Sequence, residues 1–138
     1  MVSSMLENYP DVVDQLDRDL VGWLTTVNSN LQPQSSPIWY LRVGNDLMVY
    51  SKADATRITN LATNTNIAFN LRGDKQGDTI VSLEGVAVIE PDSPTPLHVP
   101  EYLAKYGDEI VRLGWTNETF DGDYSVPIRI EVKRVRNG

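Results

Sequence analysis

Short runs of β-forming residues succeed one another along this chain, and each is cut off by a turn signal before it can grow long. Val21 to Val27 ends at Asn28-Ser29-Asn30, Pro37-Ile38-Trp39-Tyr40-Leu41 stops before Gly44-Asn45-Asp46, and Leu47-Met48-Val49-Tyr50-Ser51 follows at once. Asparagine, aspartate and glycine suit tight hairpin turns, so these three runs are expected to form an antiparallel meander. Ile67 to Leu71 reads as a fourth strand, and Thr79 to Glu90 as a long fifth one with Gly85 placed as at a bulge or bend. Tyr124 to Val135 closes the series, with Val126, Ile128, Ile130 and Val132 alternating against Arg129, Glu131 and Lys133. That two-residue period puts one set on each face of a strand.

Helical spacing occurs before and between these runs. Pro10 stands at a first helical position, and Val12, Val13, Leu16 and Leu20 recur behind Asp11 and Asp14, which predicts an amphipathic helix over about 10–20. Ile58, Leu61 and Ala62 predict a short helix after the third strand. Pro91, Pro94, Pro96 and Pro100 mark a surface connection, after which Tyr102, Leu103, Tyr106, Ile110 and Leu113 form an apolar stripe ending at Gly114. Six strands with two helical insertions predict a mainly β, closed or partly closed antiparallel barrel, with a sandwich as the alternative. One domain over 1–138 accommodates all of it.

Composition removes several chemistries. The chain has no cysteine and one histidine, His98 in the proline-rich connection, so zinc sites, thiol nucleophiles and histidine-based triads are not expected, and no metal is assigned. A net charge of −7 repels nucleic acid and anionic lipid. No apolar run approaches the roughly 20 residues that span a bilayer, and the acidic start lacks the basic segment of a signal peptide, so a cytoplasmic location without membrane contact is expected.

Chemistry concentrates where the third strand meets its helix. Tyr50-Ser51-Lys52-Ala53-Asp54-Ala55-Thr56-Arg57 carries hydroxyls and two cations at a helix N-terminus, whose free N–H groups and dipole attract phosphate. Lys52 and Arg57 would add charge-assisted hydrogen bonds, with Ser51 and Thr56 as further donors. The spacing also fits ordinary solvated cations with Thr56 as a helix cap. Pro37-Ile38-Trp39-Tyr40, in the strand expected alongside, would leave ladder groups free for the edge of a planar heterocycle, since Pro37 implies an edge or bulge. The loop Arg72 to Asp78 has glycines but not the spacing of a phosphate-binding P-loop, and reads as a plain turn. Trp115, Tyr102, Tyr106 and Phe120 form an aromatic cluster suited to core packing or to an interface.

Along nearly its whole length the chain resembles the FMN-binding split-barrel proteins related to pyridoxamine 5'-phosphate oxidase, and among them a branch of deazaflavin (F-420)-dependent oxidoreductases. The resemblance is carried by Trp23 to Val27, Pro37 to Tyr40, Val49-Tyr50-Ser51 with Arg57 to Leu61, Leu83 to Ala87, Tyr102 to Tyr106, and Tyr124-Ser125-Val126 with Ile128-Arg129. It implies a six-stranded, Greek-key-like split barrel that pairs as a homodimer, with FMN or deazaflavin F-420 bound between the subunits. It assigns cofactor binding to Pro37, Ile38, Trp39, Tyr50, Ser51, Lys52, Thr56 and Arg57, the last gripping phosphate where many relatives carry lysine. The basic and aromatic C-terminal segment that holds the vitamin in true pyridoxamine phosphate oxidases has no counterpart here, so the resemblance implies a small-molecule substrate without naming it. Hydride chemistry would belong to the cofactor ring, and no catalytic residue is assigned. The alternative is a non-catalytic protein that binds or stores a flavin, a deazaflavin or haem.

Overall fold

Hairpins account for most of the architecture. The computed structural model describes residues 6–73, 76–77 and 80–136. A 3-10 turn at Leu6–Asn8 leads into α1 (Pro10–Arg18), followed by β1 (Gly22–Val27), β2 (Pro33–Ile38), β3 (Leu41–Val43) and β4 (Asp46–Ser51). Next come α2 (Thr56–Thr63), β5 (Asn66–Leu71), β6 (Ser82–Ile89), a 3-10 turn at Pro96–His98, α3 (Pro100–Arg112), α4 (Asn117–Asp123) and β7 (Val126–Arg136). The strands form one antiparallel sheet of seven in the order β2-β1-β5-β6-β7-β4-β3, a half-barrel with small helices.

The count is seven strands rather than six because the expected second strand divides. β2 begins early, at Pro33, and its polar Gln34-Ser35-Ser36 stretch hid it, since an edge strand exposed along most of its length needs no apolar alternation. Trp39 and Tyr40 then break the ladder, and Leu41 starts the short β3, which turns through Gly44 at φ +63° into β4. The expected meander does not form: β2 pairs with β1 at one edge of the sheet, whereas β4 pairs with β3 and β7 near the other. Tyr40 is the reason for the break. Its backbone N–H donates to the Tyr106 hydroxyl at 2.9 Å instead of to a strand, and its own hydroxyl donates toward the carbonyls of Leu16 and Asp19 at 2.8 and 3.0 Å.

The long β6–β7 pairing carries the bend that Gly85 suggests, with a register shift between Glu84 and Gly85. A Cβ at Gly85 would overlap the carbonyl oxygen of Glu131, so only glycine permits this approach of the two backbones. The expected fifth strand is shorter than read, starting at Ser82; Thr79, with Asp74, Lys75 and Asp78 of the preceding loop, lies outside the described residues.

Two apolar clusters flank the sheet. Leu47 and Val49 point into a core with Leu16, Leu24, Phe69, Leu83, Ile128 and Ile130, while Met48 and Tyr50 point the opposite way, against Tyr102, Tyr106, Ile110 and Phe120. β4 is therefore covered on both faces, which explains its unbroken apolar run. The second cluster supplies the surface that the apolar stripe of α3 requires. α4, which the strand and helix pattern missed, is nucleated by a capping box between Thr116 and Thr119, with threonine in the place where glutamate or glutamine is usual. Because α4 occupies 117–123, the final strand starts at Val126 and not at Tyr124. No helix among the described residues is long and apolar enough to cross a membrane.

Candidate functional site

The end of β4 hands the chain to α2 through a tight loop, and this corner holds an unusual arginine. Arg57 reaches back so that its Nη1 donates to Ser51 Oγ at 2.9 Å and its Nη2 to Ser36 Oγ at 3.1 Å. Ser51 is fully buried and donates onward to the Lys52 carbonyl at 3.0 Å. These hydroxyls come from β4 and from the edge strand β2, so the guanidinium bridges strands that lie at opposite sides of the sheet order. Its Nε is buried without a partner, and Arg57 takes part in no ion pair among the described residues. Burial pushes its pKa below the usual arginine value while nearby Tyr124 opposes the shift. Arginine stays charged under such a shift, so a cation without a counter-ion among the described residues lines the cleft.

α2 starts beside it without a side-chain cap, since the N-cap position is Ala55. Asn60, nearly buried, fixes the helix by donating through Nδ2 to Thr26 Oγ1 and Gln34 Oε1, both at 2.9 Å. The helix N-terminus and Arg57 are thus held by contacts to the β1–β2 hairpin.

A cleft of about 470 Å³ opens over this corner. Pro37, Ile38 and Trp39 form one wall, Tyr50, Lys52, Asp54, Ala55 and Arg57 the polar end, and Tyr102, Trp115, Phe120 and Tyr124 an aromatic side, with Val21 and Leu113 also in the lining. The rings are stacked on each other: Trp39 lies 4.6 Å from Tyr106 at 9°, and Phe120 lies 4.4 Å from Tyr124 at 19°. Lys52 Nζ stands 5.5 Å over the Tyr124 ring. Stacked aromatic walls with cations at one end suit a flat ligand that ends in an anionic group.

Of the residues expected to bind cofactor, Pro37, Ile38, Trp39, Tyr50, Lys52 and Arg57 line this one cleft. Ser51 stands behind Arg57 and orients it, and Thr56 opens α2 with an exposed side chain outside the lining. His98 is exposed in its 3-10 turn, away from the cleft lining. Sequence reasoning missed Ser36, whose polar neighbours gave no signal, and the α4 wall, which the Thr116-Thr119 box and the apolar pair Phe120 and Tyr124 would have revealed. Among the described residues no cluster of histidine, cysteine, aspartate and glutamate is arranged to hold a metal ion.

Comparison with known proteins bears on the fold and the family. No curated protein matches the chain by sequence. Among solved structures, the conserved hypothetical protein Rv2991 from Mycobacterium tuberculosis superposes with a TM-score of 0.72 at 24% identity, covering 99% of this chain and 87% of its own. An F420 reductase superposes with a TM-score of 0.66 at 21% identity over 89% of this chain and 94% of its own. HutZ, the heme storage protein from Vibrio cholerae, does so with a TM-score of 0.64 at 16% identity over 94% and 93% of the two chains. At these identities the likeness establishes a shared fold. The sequence profile of pyridoxamine 5'-phosphate oxidase matches residues 10–137, nearly the entire chain, and the chain therefore belongs to the pyridoxamine 5'-phosphate oxidase family.

Proposed function

We propose that this protein is an oxidoreductase that binds FMN or the deazaflavin F-420 in the cleft and transfers hydride to or from a small organic substrate. The single observation that carries the reading is Arg57: a guanidinium in the cleft lining, held by two serine hydroxyls and paired with no carboxylate among the described residues. Such an arrangement leaves a positive charge uncompensated unless an anion completes it. Lys52 and the uncapped start of α2 add to the same field. The family match and the shared fold with an F420 reductase support the choice of cofactor class.

When bound, a flavin or deazaflavin would supply the hydride chemistry from its ring. The chain's part is to anchor and to exclude water. Lys52 and Arg57, the latter oriented by Ser51, would hold the phosphate end, and Ile38, Trp39 and Phe120 would provide a dry, flat wall for the ring. A homodimer, with the cleft completed by a second subunit, belongs to this proposal, as does a cytoplasmic location. Exposed Trp23, on the outer face of β1, is suited to such a subunit contact.

A second reading, non-catalytic binding or storage of a flavin, a deazaflavin or haem, is favoured by the fold shared with HutZ. Titrating purified protein with FMN, F-420 and hemin separates the readings. Tight binding of FMN or F-420, together with reoxidation of the reduced cofactor by an added acceptor, supports the oxidoreductase. Binding of hemin alone, or a reduced cofactor that no acceptor reoxidises, favours storage.

A further inference from the structure

Two tyrosines of the cleft have hydroxyls that bond to no described residue. Tyr50 and Tyr102 are 7% and 1% exposed, and both line the cleft. Their rings meet edge to face at 4.9 Å and 82°, and neither hydroxyl makes a hydrogen bond to any described residue. The neighbouring tyrosines show the contrast. Tyr106, equally buried, has its hydroxyl fully used: it accepts from the Tyr40 N–H at 2.9 Å and donates toward the carbonyls of Leu20 and Tyr40 at 2.7 and 2.9 Å. Tyr40 is bonded in the same way to the end of α1.

Buried polar groups in a folded chain are nearly always paired, so an unpaired one that opens onto a cleft marks a place where a ligand supplies the partner. Arg57 Nε is the one side-chain polar atom among the described residues that is both sealed off and unpartnered, so the two phenol oxygens keep contact with open space. Burial, and after it the nearby hydroxyls of Tyr106, Tyr50 and Tyr124, holds the Tyr102 phenol above its ordinary pKa, and burial raises Tyr50 likewise against the opposing charge of Arg129. Both groups therefore stay protonated at neutral pH and act as neutral donors.

We propose that the Tyr102 hydroxyl, with that of Tyr50 beside it, is the donor site for a carbonyl oxygen on the edge of the flat ligand that the cleft holds. The inference rests on the cofactor reading above and deepens it. Arg57 and Lys52 provide for the anionic end of such a ligand, whereas Tyr102 sits among Tyr50, Tyr106 and Phe120, where the matching group is an uncharged acceptor carried by an aromatic ring. A ring of the same outline without that oxygen would leave both phenols unpaired, which makes the pair a selectivity device as well as a contact.

Tyr102→Phe removes the oxygen and keeps the ring. Wild type, Tyr102→Phe and Arg57→Ala are titrated with FMN and with riboflavin by flavin fluorescence, or with F-420 and its phosphate-free chromophore where F-420 binds more tightly; thermal melts are run without ligand. Loss of one neutral hydrogen bond predicts about three- to tenfold weaker binding of Tyr102→Phe to both partners of a pair, by the same factor. Arg57→Ala weakens only the phosphate-bearing partner. Unliganded Tyr102→Phe melts at or above the wild-type midpoint, because it gives up no bond to a described residue, while Tyr106→Phe melts below it. Unchanged affinity of Tyr102→Phe for both partners, or a lower midpoint without ligand, overturns the inference and leaves the cofactor reading standing. Wild-type protein that binds neither FMN nor F-420 overturns both.

Discussion

Replacing Arg57 by alanine removes the charged group around which the polar end of the cleft is built, and its effect can be worked from the geometry. An arginine carries five N–H donors; here Nη1 and Nη2 each spend one on Ser51 and Ser36, and the Nε donor is idle. Nε is sealed off, so the second N–H on each of Nη1 and Nη2 would be the ones offered to a phosphate. Loss of a charge-assisted hydrogen bond costs about 1.5–3 kcal/mol, which is a roughly 10- to 150-fold rise in Kd for FMN. Riboflavin has the same ring and no phosphate, so its Kd should stay within about twofold of the wild-type value if the ring is held elsewhere. Arg57→Lys keeps the charge but gives up the planar fork that spans both serines, and should fall between wild type and alanine. Fluorescence titration of both flavins against the three proteins reads all of this, and raising the salt concentration should narrow the difference for FMN alone. An unchanged FMN affinity in Arg57→Ala, or equal weakening of FMN and riboflavin, refutes the assignment of an anion to this guanidinium.

Other consequences follow from the packing. Gly85→Ala drives a methyl group into the Glu131 carbonyl at the β6–β7 bulge and should cost about 1–3 kcal/mol in urea unfolding; an unchanged midpoint would mean that the strands part freely there. Tyr106→Phe strands the Tyr40 N–H and is expected to cost about 1–3 kcal/mol by the same measurement, with a stability equal to wild type counting against the anchoring role of this hydroxyl. Lys105 Nζ lies 3.9 Å over the Tyr40 ring and donates to the Leu16 carbonyl at 3.1 Å, and burial lowers its pKa from 10.5 to about 8 against the raising pull of Asp17 and Asp19. Between those two values the unfolded chain holds the proton that the folded one has released, so this group makes stability rise with pH across that window and has no such effect below it. Lys105→Met should flatten the rise in melting midpoint between pH 8 and 10.5 relative to wild type; parallel profiles would show that Lys105 does not titrate there.

Local chemistry in the chain was enough to announce a mainly β barrel, a cationic corner after Tyr50 and three helices, read over about 10–20, around Ile58 to Ala62 and from Tyr102 to Gly114, where the fold has 10–18, 56–63 and 100–112. Turn residues, apolar periods and a proline at a helix start act over a few neighbours, so they are visible in one dimension. The bulge at Gly85 and the edge position of Pro37 were legible for the same reason, since each residue type restricts its own backbone. Strand order was not. β4 lies against β7 because Leu47 and Val49 complete one core while Met48 and Tyr50 complete another, and that choice depends on residues far along the chain. The same holds for the site. A lysine and an arginine near a helix start read equally well as solvated charges; what makes Arg57 distinctive is that Ser36 and Ser51, fifteen positions apart on different strands, meet its two nitrogens and leave the third buried. Whether a polar atom has a partner is a property of three-dimensional neighbours, and so the folded chain alone reveals which hydroxyls of its tyrosines are spent on structure and which stand open to a ligand.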